Sequence, residues 1–143
     1  MSGFDEKEFY NLGVKIARAY ADEAGYRTAI GRVYYACYLT GAKAAKNKGW
    51  FSPKYSAADH AALRRALKGQ AKDALADKLF DLYVLREHAD YHIENCPEGE
   101  CRYCDCVAPN ENLVGAQTWV RAEKIANNIL PKLESINPKK PRN

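Results

Sequence analysis

The chain is predicted to be all-α, an antiparallel bundle of four long helices plus one short helix. Three observations predict it. Apolar residues recur at helical spacing in five segments, and no segment alternates convincingly with period two. Glycine and proline mark the breaks between those segments. The length of 143 residues (16.1 kDa) suits one domain, and 47% hydrophobic with 11% aromatic residues supplies a core, which excludes wholesale disorder.

The first segment, Asp5–Glu23, places Phe9, Leu12, Ile16 and Tyr20 at helical spacing, with Asp5 and Glu8 as a capping pair. Gly25 breaks the pattern. Tyr26–Lys46 resumes it with Tyr26, Ile30, Val33, Cys37 and Ala44 on one stripe, and Ala36, Gly41, Ala44 and Ala45 small enough for close helix approach. Cys37 on that stripe reads as a small core residue. The stretch NKGWFSPKY (47–55) is a loop marked by Gly49 and Pro53. Ser56 then caps a short helix carrying Leu63, Ala66 and Leu67, which stops at Gly69. Asp73–Ile93 is the fourth helix. Gly115–Ser135 is the fifth, with Trp119, Ala122, Ala126, Ile129 and Leu133 inward and Pro131 expected to kink or shorten it. The organisation expected is a single bundle over 1–137, a cysteine-rich loop at 94–112, and a disordered basic tail at 138–143.

The formal charge is +4, much of it in the tail residues Lys139, Lys140 and Arg142, so the folded part has no basic footprint over its whole surface. The charge is nevertheless segregated. Residues 24–72 carry ten basic side chains against Asp59 alone, a local +9 that leaves −5 for the rest of the chain. That stretch reads either as a solvated helix face or as a surface that steers a polyanion. Tyr34, Tyr35, Tyr38, Trp50, Phe51 and Tyr55 are interleaved with it. Such interleaving can stack single-stranded bases, but helical projection sends Tyr34 to the core side and Tyr35 to the outer face, so at most a few are free and core packing takes most of these rings.

No apolar run approaches the ~18–20 residues of a membrane helix. The opening MSGFDEKEF is acidic where a signal peptide is basic and then apolar, so the expected location is the cytoplasm, without membrane attachment. Five cysteines without a secretion signal are not a disulfide framework.

Helix four carries an anomaly. At ~100° per residue from Leu75, Leu79 falls at about 40°, Leu82 at about 340° and Ile93 at about 0°, yet Arg86 falls at about 20° and Asp90 at about 60°. A guanidinium among leucines must be paired or face a cleft, and Asp90, one turn on, is its natural partner. His88 at about 220° and His92 at about 260° lie off that stripe. His88 therefore reads as a surface residue. Arg86 and His92 meet only if the helix ends or bends near Tyr91, or if a second copy supplies the partner across a two-fold axis.

The segment RTAIGRVYYACYLTGAKAA (27–45), followed by His60 and then LREHADYH (85–92), resembles the HEPN family. The resemblance spans Phe9 to Ile93, and the last helix is compatible with it. It implies a helical bundle that dimerises. The family's catalytic signature is an arginine, four to six residues, then a histidine; Arg86 and His92 match with five residues between them. The implied activity is metal-independent RNA cleavage in a toxin or anti-phage defence component acting as a homodimer. His92 would be the acid/base, Arg86 the transition-state stabiliser and Asp90 its positioning carboxylate, and no cofactor would be required. A small nucleotidyltransferase antitoxin is the partner such proteins often have. Glu87 departs from the Asn, Asp or His that often follows the arginine in active members, and Arg86, Ala89, Asp90 and Tyr91 form an R-x-x-A-D-Y pattern. These two features favour the alternative implied function, a non-catalytic HEPN module that binds a nucleotide, RNA or a partner protein.

The loop NCPEGECRYCDCVAPNEN is a separate matter. Cys96, Cys101, Cys104 and Cys106 place four thiols in eleven residues with spacing C-x4-C-x2-C-x-C. A structural zinc site, reduced free thiols and a redox-sensitive disulfide are all open for this spacing. Glu94, Glu98, Glu100 and Asp105 favour a cation, and His92 would be an alternative fourth ligand.

Overall fold

The computed structural model describes residues 3–92 and 114–137. Five helices follow in order: α1 (Lys7–Ala19), α2 (Glu23–Asn47), α3 (Ala58–Gly69), α4 (Asp73–Tyr91) and α5 (Ala116–Ile136). Among the described residues there is no strand. The chain is an all-α bundle built around α2, which packs against each of the other four helices. That central position explains why α2 buries residues on several faces, from Ala29, Ile30, Val33 and Tyr34 to Cys37, Ala44 and Ala45. No helix among the described residues is long and apolar enough to cross a membrane. The loop 94–112 with Cys96, Cys101, Cys104 and Cys106, and the tail 138–143, lie outside the described residues.

α1 buries a different face from the one its apolar spacing predicts. Leu12 is 43% and Tyr20 63% exposed, while Gly13 and Ala17 face α2. The reason is backbone proximity: a Cβ on Gly13 would lie 2.9 Å from Val33 Cγ1 and 3.0 Å from the Ala29 carbonyl oxygen. The small residues therefore set the contact, and the large apolar side chains flank it.

Gly25 does not interrupt α2 but sits in its first turn. Asp22 caps the helix by accepting the Gly25 N–H at 2.8 Å. A Cβ on Gly25 would fall 1.8 Å from the Tyr20 carbonyl oxygen, so the sharp α1–α2 turn needs glycine there. At the other end of α2, Gly49 takes φ +76°.

The entry to α3 is held by Asp59 rather than by the Ser56 side chain. The Asp59 carboxylate accepts the Lys54 N–H at 3.0 Å and the Tyr55 N–H at 2.8 Å, and these bonds pull its pKa below the ordinary carboxylate value. Tyr55 takes φ 59° in this turn.

α4 stops at Tyr91, two residues before its expected end, and Arg27 from α2 caps its last carbonyls. Arg27 Nη1 donates to Ala89 O at 2.9 Å and to His88 O at 3.4 Å, while Glu23 holds the guanidinium at 2.7 Å. A cation at a helix C-terminus also complements the helix dipole. Pro131 does not end α5, which continues to Ile136. Its ring lies on the exposed side, where the carbonyl it leaves without an N–H can reach water. Trp119, Ala122, Ala126, Ile129 and Leu133 are buried as their spacing predicts.

Candidate functional site

Arg86 is buried at 8% exposure near the end of α4, and its guanidinium is surrounded. Nη1 donates to Glu87 Oε1 at 3.0 Å and Nη2 to the Tyr35 hydroxyl at 3.1 Å. Nε lies 3.0 Å from Asp90 Oδ2, an ion pair in which the N–H is not aligned as a hydrogen bond. The rings of Tyr35 (5.4 Å), Tyr34 (5.8 Å), Tyr91 (5.8 Å) and Tyr83 (6.0 Å) lie around the same cation. Burial pulls the Arg86 pKa down, but Tyr35, Asp90 and Glu87 outweigh it and hold the charge firmly. The expected Arg86–Asp90 pair is therefore present, and Glu87 joins it.

Behind this layer, His60 of α3 joins the same rings. Its Nδ1 lies 2.5 Å from the Tyr34 hydroxyl, and its ring stacks on Tyr38 (4.3 Å) and approaches Tyr83 (5.4 Å). Tyr34 is fully buried, and burial drives its pKa far up, so the hydroxyl keeps its proton beside Nδ1. The His60 pKa is pushed below the ordinary 6.5 by burial first and then by Arg86 and Arg64, against the opposing pull of Glu87 and Asp59.

A pH dependence follows with a definite sign. Below pH 6.5 the unfolded chain protonates His60 before the folded chain does, so this contribution to stability is complete above about 6.5 and is lost as pH falls toward the lower folded-state value. Thermal melts between pH 7.5 and 5 should show a falling midpoint for the wild type and a smaller fall for His60→Gln. Identical pH profiles for the two proteins would contradict the assignment.

Two further guanidiniums flank the centre. Arg32 lies over Phe9 (5.4 Å) and Tyr35 (5.8 Å), and Arg64 over Tyr83 (4.8 Å) and Phe80 (4.9 Å). The resulting succession, Arg32–Tyr35–Arg86–Tyr83–Arg64, draws on α2, α4 and α3. Sequence reasoning sent Tyr35 to the outer face, whereas it is half-buried with its hydroxyl on Arg86, and it did not place His60, Tyr83 or Arg64 with Arg86. A signal was present in the i, i+3 and i, i+4 spacings of Arg32/Tyr35, His60/Arg64 and Tyr83/Arg86, which put each pair on one helix face.

The histidines of α4 correct one expectation. His88 is buried at 8% exposure rather than lying on the surface. Leu85, at about 280° in the same projection, is buried too, so the C-terminal half of α4 is covered over a wider arc than its leucine stripe indicates. α2, α3 and α5 all pack on α4, which accounts for that width. His92 takes extended backbone (φ −90°, ψ 99°) just past the helix, and its ring stacks on His88 at 4.3 Å. His92 thus lies with a residue about 200° around the helix from Arg86.

Among the described residues, no group of three or more His, Cys, Asp or Glu side chains is placed to hold a metal ion. The proposed metal ligands Cys96, Cys101, Cys104 and Cys106 are not among those residues. No protein-family model, curated protein or solved structure matches the chain. The functional argument accordingly rests on the cluster itself: cations interleaved with rings, with two carboxylates held at its centre.

Proposed function

We propose that the chain is a HEPN-like helical module that binds single-stranded RNA without cutting it. The observation that carries this reading is the enclosure of Arg86, which is 8% exposed and already engaged by Glu87, Asp90 and Tyr35 of its own chain. A transition-state stabiliser must direct free N–H groups at the phosphoryl oxygens. Here Glu87 and Asp90 already engage the guanidinium, and their negative charge repels a phosphate. Binding falls instead to the flanking cations. Arg32 and Arg64 are only half-buried, each cation stacked on aromatic rings, within a stretch of local charge +9. Phosphates neutralise such cations while bases stack on such rings.

The test is incubation of wild-type protein with single-stranded RNA in chelator, alongside fluorescence anisotropy across a salt series. The expected result is intact RNA, and binding that weakens steeply with salt. Absence of binding at low salt would overturn the reading.

A second reading is favoured by one observation. α4 ends at Tyr91, which releases His92, half-buried, from the helix period. In a homodimer, His92 of one copy could then serve Arg86 of the other, giving the metal-independent endoribonuclease of a toxin or defence system, with Asp90 positioning the arginine and a nucleotidyltransferase as antitoxin. RNA cleavage by the wild type, lost in both Arg86→Ala and His92→Ala with the fold retained, would establish this reading over the first.

A further inference from the structure

His60 sits among rings and cations, beside carboxylates that are already engaged. Tyr34 (5.6 Å), Tyr35 (6.4 Å) and Tyr38 (4.3 Å) from α2 and Tyr83 (5.4 Å) from α4 surround its imidazole. The charged groups facing it are Arg86 and Glu87 of α4, and Asp59 and Arg64 of its own helix. Two of the four are guanidiniums, Arg64 lying one turn further along α3. Asp59 spends its two oxygens on the Lys54 and Tyr55 amides. Glu87 holds Arg86 at 3.0 Å and accepts the hydrogen bond of the Tyr83 hydroxyl. The Tyr34 hydroxyl, 2.5 Å from Nδ1, stays neutral and brings no charge. A proton added to this ring therefore meets two cations and, among the described residues, no carboxylate left over to pair with it. The ring and Arg64 are nevertheless only half-buried, so both remain open to solvent and to an anion that arrives from it.

We propose that His60 makes RNA binding at this cluster pH-dependent: a phosphate held by Arg64 supplies the counter-charge that the chain itself withholds, so binding draws a proton from solvent onto the imidazole and tightens as pH falls. The inference rests on the RNA-binding reading and adds a means of regulation to it. Linkage fixes the sign, because an anion that favours the protonated ring must itself bind the protonated form more tightly. The effect runs opposite to the one on folding. Acid weakens the free protein through His60 but strengthens the complex, so bound RNA should offset part of the acid-induced fall in Tm.

The probe is a dodecamer of uridylate, whose bases carry no charge between pH 5 and 7.5, added to the full-length protein. Anisotropy titrations at both ends of that range give one affinity ratio for the wild type and one for His60→Gln. Each protein is read against itself, so a change in basal affinity in the variant does not enter. The wild-type ratio should exceed that of the variant by up to about fivefold, the worth of one charge pair ~4 Å apart in water. Calorimetry in two buffers of different ionisation heat should show more proton uptake on binding by the wild type than by His60→Gln. If the variant does not fold, the His60 ring resonances of the wild type, identified by their contact with the Tyr38 ring, decide alone: their titration midpoint must rise when RNA is added. Equal affinity ratios in the two proteins, or a ring whose titration RNA leaves unmoved, overturn the proposal and leave the RNA-binding reading standing. Absence of binding at both pH values in low salt removes that reading, and this proposal with it.

Discussion

Arg86→Ala is expected to lower stability by about 2–3 kcal/mol, below the usual cost of breaking a fully buried ion pair because both carboxylates keep some water. Glu87 and Asp90 side chains are 40% and 38% exposed, so once orphaned they can be partly resolvated. The larger part of the loss comes from the space left among Tyr34, Tyr35, Tyr83 and Tyr91, whose rings the guanidinium occupies between. For a chain of this size, roughly 2–4 °C per kcal/mol puts the fall in Tm at ~4–12 °C. Arg86→Met keeps much of the volume and should recover part of that loss. RNA binding at a temperature below both midpoints should change little in either variant under the binding reading, because Arg86 is not the cation that meets phosphate. A stable Arg86→Ala protein that has lost a measurable RNA cleavage activity would reverse this assignment and favour the composite nuclease.

Gly25→Ala is expected to cost about 3 kcal/mol or more, the upper range for overpacking. The added methyl would stand 1.8 Å from the Tyr20 carbonyl oxygen, with the Tyr20 carbonyl carbon and Cβ both at 2.8 Å. Backbone cannot rotate aside as a side chain can, so the turn between α1 and α2 must open. Opening it disturbs the Asp22 cap and also Glu23 and Arg27, which bracket Gly25 and reach the end of α4. The natural control is Gly69→Ala at the end of α3, where nothing lies within 4 Å. That substitution should be neutral or stabilise by about 0.5–1 kcal/mol through the unfolded chain. Urea denaturation of the two variants separates the cases, and equal midpoints would refute the packing argument.

Element positions were legible because apolar spacing in α2, α4 and α5 coincides with what is buried: Ile30, Val33 and Cys37; Leu79 and Leu82; Ala122, Ala126 and Leu133. The Arg86–Asp90 pair was legible too, since one turn of helix imposes it. What a single helix does not encode is which neighbours cover it. His88 is buried in a helix that packs against α2, α3 and α5, and the meeting of His60 with Tyr34 joins residues from two helices that no local period links. α1 shows the same limit from the other side. Its apolar stripe pointed to Leu12 and Tyr20, but close approach to Ala29 and Val33 selected Gly13 and Ala17 instead. The start of α3 likewise has no side-chain cap from Ser56; Asp59 in its first turn instead ties back the preceding loop through the Lys54 and Tyr55 amides.

Arg27 donates to the Ala89 and His88 oxygens at the end of α4, and Glu23, one turn back on its own helix, holds the same guanidinium at 2.7 Å. His88 O accepts from the His92 amide as well, so the guanidinium supplements that carbonyl's backbone bond and does not replace it. The first turn of α2 and the last turn of α4 are thereby tied at one corner of the bundle. Loss of the Arg27 side chain would release both ends together, one of them a single turn from Arg86 and Asp90.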